Sequence, residues 1–343
     1  MAQPKRTELH ETARAIVADH KGILAADESS GTIKKRFDTI GVEATEESRR
    51  FYRGLLFTTP GMEEYIGGVI LYDETIHQKA DDGTPFPELL AAKGVIPGIK
   101  VDTGAQDMAG FPGEKVTEGL DGLRARLEEY ARLGARFAKW RAVITIGVGI
   151  PTGGCIHANA HALARYAALC QETGIVPIVE PEVLMDADNT LEVCHEATAR
   201  TLHATFDELD SQRVDLEGTL LKPNMVISGK GCSKQASSEE IAQRTIHCFL
   251  SHVPAAVPGI VFLSCGQSEV QATENLNAIN RIGGPWPLSF SYGRALQASA
   301  LREWGGDEAN AYAAQAVFLH RARMNALAAA GEWSAELEEA VKA

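Results

Sequence analysis

Eight short runs rich in Val, Ile and Leu recur along the chain, separated by longer stretches of helical character. The runs are GILAAD (22–27), GGVILYD (67–73), IPGIKVD (96–102), RFAKWRAV (136–143), IVPIVEPE (175–182), TLLKPNMV (219–226), GIVFLSCG (259–266) and PLSFSYG (287–293). Continuous apolar runs of this length read as strands buried on both faces, and their alternation with helices is the mark of parallel βα units. One intervening stretch carries Leu120, Leu123, Leu127 and Tyr130, and another carries Leu191, Cys194, Leu202, Phe206 and Leu209. Both spacings gather apolar side chains on one helix face. Eight repeats predict an α/β fold of the (β/α)8 TIM-barrel type, with an open doubly wound sheet as the alternative.

No Pro/Ser-rich linker interrupts the pattern, so residues 1–343 read as a single domain. A leading helix is expected around residues 7–20 and a helical C-terminal segment or tail from about 307 to 343.

Composition narrows the class of function. The formal net charge of -13 argues against general nucleic-acid binding, which requires a basic surface. An anionic ligand must then meet a local cluster of cations. No segment approaches the roughly 18 apolar residues of a membrane span, and the N-terminus lacks the apolar core of a secretory signal. Cys155, Cys170, Cys194, Cys232, Cys248 and Cys265 show neither C-x-x-C pairs nor zinc-ribbon spacing. The reading is a cytoplasmic protein with free thiols.

Charges interrupt the apolar runs where a strand would end. Asp27 closes the first and Lys100 lies near the end of the third; Lys139 and Arg141 share the fourth, Glu180 and Glu182 the fifth, and Lys222 sits in the sixth. Side chains two apart on a strand share a face, so each pair points one way. A charge inside a barrel is costly unless paired or solvated, so seven such positions of both signs point to one cavity with chemistry in it.

The residue types suit amine catalysis. A lysine attacks a ketone only as the free amine, and Lys139 and Arg141 offer positive charge to lower the pKa of Lys222. Glu180 is the candidate donor for loss of water from the carbinolamine, and Asp27 the candidate base for carbon–carbon cleavage. Ser264 stands at the end of strand seven, and Gly293 and Arg294 where strand eight turns into a helix. Those loops are the usual phosphate site of the barrel. Lys100 and Arg36 remain for a second phosphate.

The strings GILAADES (22–29), GVIPGIKVD (94–102), FAKWRAV (137–143), GIVPIVEPE (174–182), EGTLLKPNMV (217–226), NLNAIN (275–280) and FSYGRALQASAL (290–301) resemble class I fructose-bisphosphate aldolases, in the family's order, from about residue 7 to about 320. The resemblance implies that Lys222 is the Schiff-base lysine, Glu180 the acid/base for dehydration, Asp27 the residue assisting cleavage and Lys139 the cation beside the nucleophile. Glu182 is counted with this catalytic group. Arg141, Lys100, Arg36, Ser264, Gly266, Gly293 and Arg294 fall among substrate and phosphate contacts. The implied reaction is reversible cleavage of fructose 1,6-bisphosphate to dihydroxyacetone phosphate and glyceraldehyde 3-phosphate by a homotetramer, with no metal or cofactor. Fructose 1-phosphate or sedoheptulose bisphosphate are the alternative substrates, and a non-catalytic scaffold for a protein partner is the alternative of another class.

Three places depart from the family pattern. Many animal members end in a tail whose terminal tyrosine aids proton exchange on the enamine, whereas the last tyrosine here is Tyr312. Another group is then expected to protonate the enamine, or that step to be slow. The strand-seven loop reads SCGQ where SGGQ is common, setting Cys265, read as a packed thiol, beside the phosphate site. The stretch GVGIPTGGCIHANAH (147–161) is also unusual; its His157 and His161 lack a third metal ligand nearby and read as an exposed helix face, as do His195 and His203. GKGCSK (229–234) lacks P-loop spacing and reads as a flexible loop near the barrel mouth.

Overall fold

A computed structural model describes residues 3–341. Its strands are β1 (Gly22–Ala25), β2 (Ile66–Leu71), β3 (Ile96–Lys100), β4 (Gly104–Asp107), β5 (Lys115–Glu118), β6 (Phe137–Ile144), β7 (Val176–Val183), β8 (Leu220–Leu221), β9 (Ile260–Phe262) and β10 (Leu288–Tyr292). Eight of them close a parallel barrel in the order β1-β10-β9-β8-β7-β6-β3-β2. The eight barrel strands coincide with the eight apolar runs, so the closed barrel, not the open sheet, is what the sequence encodes.

The barrel is apolar at its base and charged at its top. At the base, Ile23, Ile70, Phe137, Ile178, Leu220 and Val261 form one cluster with Leu9, Ala13, Ile16 and Val17 of the N-terminal segment. The leading helix Gln3–Ile16 therefore plugs the barrel's lower end, and Leu9, Ile16 and Val17 each contribute about 1.5–3 kcal/mol by burial. It starts earlier than expected and stops at Ile16, with a single 3-10 turn, Ala18–His20, before β1. The Phe137 ring fills the base so tightly that a Cβ on Gly98 would stand 2.3 Å from it and one on Gly68 3.0 Å. Two glycines on neighbouring strands thus make room for one aromatic side chain.

Where the runs end, the chemistry begins. The predicted sixth strand shortens to Leu220–Leu221, although the Lys222 N–H still donates to the Val179 carbonyl at 2.8 Å. Pro223 has no N–H to donate, although its carbonyl still accepts from the Leu263 N–H at 3.1 Å. Along β6 and β7 eight residue pairs are in register, setting Arg141 opposite Glu180 and Val143 opposite Glu182.

An antiparallel hairpin, β4 with β5, follows β3 and was not anticipated. Its Thr117 hydroxyl donates to the Arg141 carbonyl at 2.8 Å, and the Thr117 N–H donates to Asn159 at 3.2 Å. The hairpin therefore ties the top of β6 to the helix Gly153–Thr173, which is capped by the Thr152 hydroxyl. His157, exposed, and His161, half-buried, lie on that helix, and both meet Glu208 of the neighbouring helix Leu191–Ser211. His203 is exposed beside Asp207, whereas His195 is only half-buried surface, its ring stacked on His247. The C-terminal part is helical as expected, with the helix Ala311–Ala329 and a 3-10 segment Ala335–Val341. All six cysteines are free, and only Cys232 is not buried.

Candidate active site

Every site residue named from the sequence lines one cavity of about 340 Å³ at the top of the barrel. The volume falls in the usual range for a small-ligand pocket. Its walls carry seven cationic and five acidic side chains, a positive balance inside a chain of net charge -13. The local cation cluster required by an anionic ligand is present.

At the centre the charges alternate. Asp27 pairs with Lys139 at 2.7 Å, Lys139 faces Glu180 at 3.4 Å, and Glu180 pairs with Lys222 at 3.1 Å. None of these side chains is more than 12% exposed. Removing one member would leave an uncompensated buried charge, so the four groups act as a unit. Burial alone would raise the pKa of Asp27 and of Glu180; Lys139 first and Lys222 second outweigh it, and both carboxyls are held below their ordinary values. Burial would lower the Lys139 pKa, but Asp27 and then Glu180 raise it. Glu180 Oε2 accepts no hydrogen bond, leaving one carboxylate oxygen available to a proton.

The remaining expected residues form a second ring. Arg141 is paired with Glu182. Burial would lower its pKa, but Glu182 raises it. Lys100 pairs with Asp102 at 3.1 Å, and Asp102 in turn accepts the Arg141 N–H at 3.2 Å. Arg36, on the helix Ser30–Asp38, is gripped by the buried carboxylate of Glu28. Gln297 donates to the same Glu28 oxygen at 3.0 Å, and Arg53 holds the Glu28 carbonyl at 2.7 Å.

The opposite wall is built for an anion. Past β9 the chain runs through Ser264, Cys265 (φ 50°) and Gly266 (φ 74°), a left-handed turn. The Cys265 and Gly266 N–H groups donate to no acceptor among the described residues. Gly293 precedes the helix Arg294–Trp304 without a side-chain cap, so the first N–H groups of that helix open into the cavity. The Cys265 thiol is packed inward, 3.7 Å from the Leu263 carbonyl, and burial pushes its pKa well up. It is the packed thiol anticipated, in a backbone conformation that suits glycine better.

Residues not anticipated share the cavity: Glu28, Ser29, Thr32, Asp186, Lys230 and Ser291. Ser291 is buried with a hydroxyl that has no partner. It stands two positions after Ser289 in an otherwise apolar aromatic run, so the spacing argument applied to Lys139 and Arg141 would have found it. Lys230 belongs to the GKGCSK stretch, and only the fold brings it to the cavity.

A buried lysine sharing a hydrogen-bond distance with a carboxylate, flanked by two cationic ends, is equipped to attack a carbonyl in a phosphorylated substrate. Comparison with known proteins points the same way. The family described as Fructose-bisphosphate aldolase class-I matches residues 8–343. A Xanthomonas campestris protein named probable fructose-bisphosphate aldolase class 1 is 62% identical over 328 residues, covering 95% of this chain and 98% of its own length. The Toxoplasma gondii fructose-bisphosphate aldolase 1 is 54% identical, covering 97% of this chain and 93% of its own. A cytosolic Arabidopsis thaliana aldolase is 53% identical, with 96% and 92% covered. Among solved structures, a Plasmodium falciparum fructose-bisphosphate aldolase, determined with TRAP and an inhibitor, superposes with a TM-score of 0.96 at 48% identity, covering 97% of each chain.

Proposed function

Because the chain belongs to the class I fructose-bisphosphate aldolase family and is an aldehyde-lyase of glycolysis that cleaves fructose 1,6-bisphosphate reversibly, we propose that Lys222 is its Schiff-base nucleophile. The single observation that carries this reading is the Lys222–Glu180 pair at 3.1 Å, with a free oxygen on the same carboxylate. One proton serves both groups. When Lys222 passes it to Glu180, the lysine becomes a free amine and the glutamate a carboxylic acid, and the reaction needs both at once.

The amine then adds to the ketone carbon of the substrate, and one of the protons on its nitrogen passes to the former carbonyl oxygen, giving the carbinolamine. Glu180 returns its proton to the resulting hydroxyl, which leaves as water, and a protonated imine remains on Lys222. Asp27 takes the proton from the C4 hydroxyl. The electron pair of the C3–C4 bond moves into the imine, so glyceraldehyde 3-phosphate departs and an enamine remains. Protonation of the enamine carbon and addition of water release dihydroxyacetone phosphate and restore the lysine. Lys139, between Asp27 and Glu180, keeps both carboxylates ionised in the resting site. Glu182 fixes Arg141.

Ser264, Gly266, Gly293 and Arg294 are assigned to one phosphate; Lys100, Arg141 and Arg36 are assigned to the rest of the substrate, including the second phosphate. The setting we assign is a cytoplasmic homotetramer with a sugar phosphate as ligand. The cytoplasmic setting is supported by the cytosolic Arabidopsis relative, and the homotetramer rests on the family resemblance alone. Comparing kcat/KM for fructose 1,6-bisphosphate, fructose 1-phosphate and sedoheptulose bisphosphate tests the substrate. A higher value for either alternative would replace the assigned one, and failure to cleave any of them would restore the scaffold reading.

A further inference from the structure

Lys230 is a cation of the cavity wall to which neither the sequence pattern nor the mechanism gave a task. Its backbone is fixed. The Lys230 N–H donates to the Met185 carbonyl at 2.8 Å, Gly229 to Asn189 at 2.9 Å and Gly231 to Ala187 at 2.9 Å. A Cβ on Gly229 would stand 2.3 Å from the Ala187 oxygen, so the two loops are stitched at contact distance. The side chain, by contrast, is about half exposed and held only by Asp186 at 2.6 Å. An exposed ion pair of this kind contributes little and exchanges partners cheaply.

The ammonium also faces the anion wall. A Cβ placed on Gly266 would lie 2.9 Å from Lys230 Nζ and 3.0 Å from an Arg294 guanidinium nitrogen. Two cations therefore stand within roughly 6 Å of each other with only a glycine between them, an arrangement that repels unless an anion is shared. Arg294 forms no ion pair among the described residues, and the adjacent Cys265 and Gly266 N–H groups donate to no protein acceptor. The wall adjoins the nucleophile's own segment, since the Leu263 N–H donates to the Pro223 carbonyl at 3.1 Å.

Resting on the aldolase reading, we propose that Lys230 is a further phosphate ligand, which leaves Asp186 when substrate arrives and closes with Arg294 on the phosphate nearest Lys222. Gly266 is required between them because any side chain there would occupy the space of the shared anion. The backbone need not move, so the exchange is a rotation of one lysine side chain.

Dihydroxyacetone phosphate and dihydroxyacetone separate this role from the amine chemistry, because both present a ketone to Lys222 and only one carries a phosphate. The measurement is the half-saturating concentration for borohydride inactivation of the wild type, Lys230→Ala and Lys230→Arg. Lys230→Ala should need about five- to tenfold more dihydroxyacetone phosphate and an unchanged amount of dihydroxyacetone, the size of one lost charge-assisted hydrogen bond. Lys230→Arg should recover most of that loss. Unchanged half-saturation by dihydroxyacetone phosphate in Lys230→Ala, or equal loss with both ligands, overturns the proposal. A wild type that borohydride inactivates with neither ligand overturns the Lys222 reading, and this inference with it.

Discussion

Lys222 Nζ stands 3.1 Å from Glu180 Oε1, while Glu180 Oε2 points to Lys139 at 3.4 Å without a hydrogen bond. The carboxylate bridges two lysines of different fate. One is to become a neutral nucleophile, and the other is held charged by Asp27.

Replacing Glu180 with Gln keeps the shape and removes the proton acceptor. The expected outcome is a fall in kcat of about 10²–10⁴-fold. Trapping of substrate on the lysine should slow in parallel, and circular dichroism should stay native. A variant retaining more than about a tenth of wild-type kcat would mean that another group carries the proton.

The pH dependence follows from Lys139. It is the largest attractive influence holding Glu180 below its ordinary value against burial. Lys139→Met should therefore raise the Glu180 pKa and move the acid limb of the kcat/KM profile to higher pH, with a loss of activity at neutrality. The sign for stability agrees. Asp27 and Glu180, both depressed in the folded state, contribute stability that is complete above the ordinary carboxyl range and is lost as pH falls through their folded values. Urea unfolding of wild type and Lys139→Met across about pH 3–7 checks this, and the variant should show a shallower low-pH slope, since carboxyls such as Glu74, Asp215 and Glu338 are depressed independently of Lys139.

Cys265 adopts φ 50° in the phosphate loop. A non-glycine residue there costs about 1–2 kcal/mol, which inward packing of the thiol offsets. Cys265→Gly exchanges one for the other, so its stability should change by less than about 1 kcal/mol and its KM by less than about threefold. Cys265→Val adds a β-branched side chain to the strained position and should cost about 2–4 kcal/mol with a raised KM. Thermal unfolding and steady-state kinetics on the pair distinguish the two.

At the barrel base, Gly98 and Phe137 are coupled by contact, since a Cβ on Gly98 would stand 2.3 Å from the ring. Phe137→Ala should cost about 3–5 kcal/mol. Gly98→Ala should destabilise through overpacking, and the double variant should cost less than the sum of the two. Strict additivity in a double-mutant cycle would show that the ring does not set the glycine.

How much of this was legible depends on whether the signal is local. The eight barrel strands were readable because each is an apolar run of fixed length, and Lys139, Arg141, Glu180 and Glu182 because they break such runs two residues apart. The early end of β8 was missed, since the sixth run was read through Pro223 to Val226. Pro4 would have extended the leading helix back past residue 7, since proline is favoured in a first turn. The β4–β5 hairpin was not legible: GAQD and KVTE lack an apolar face, and their pairing is fixed by contacts with Arg141 and Asn159. GKGCSK was readable as a loop near the barrel mouth, but the approach of Lys230 to Gly266 and Arg294 was not, because it depends on two loops meeting after the barrel has closed.

The central claim is that Lys222 forms a covalent imine with the substrate ketone. The most direct measurement is peptide mass spectrometry of the enzyme after borohydride reduction in the presence of fructose 1,6-bisphosphate. A substrate-derived adduct is expected on Lys222, absent without borohydride and absent in Lys222→Met. An active enzyme with no adduct, or with the adduct on Lys139 instead, would contradict it.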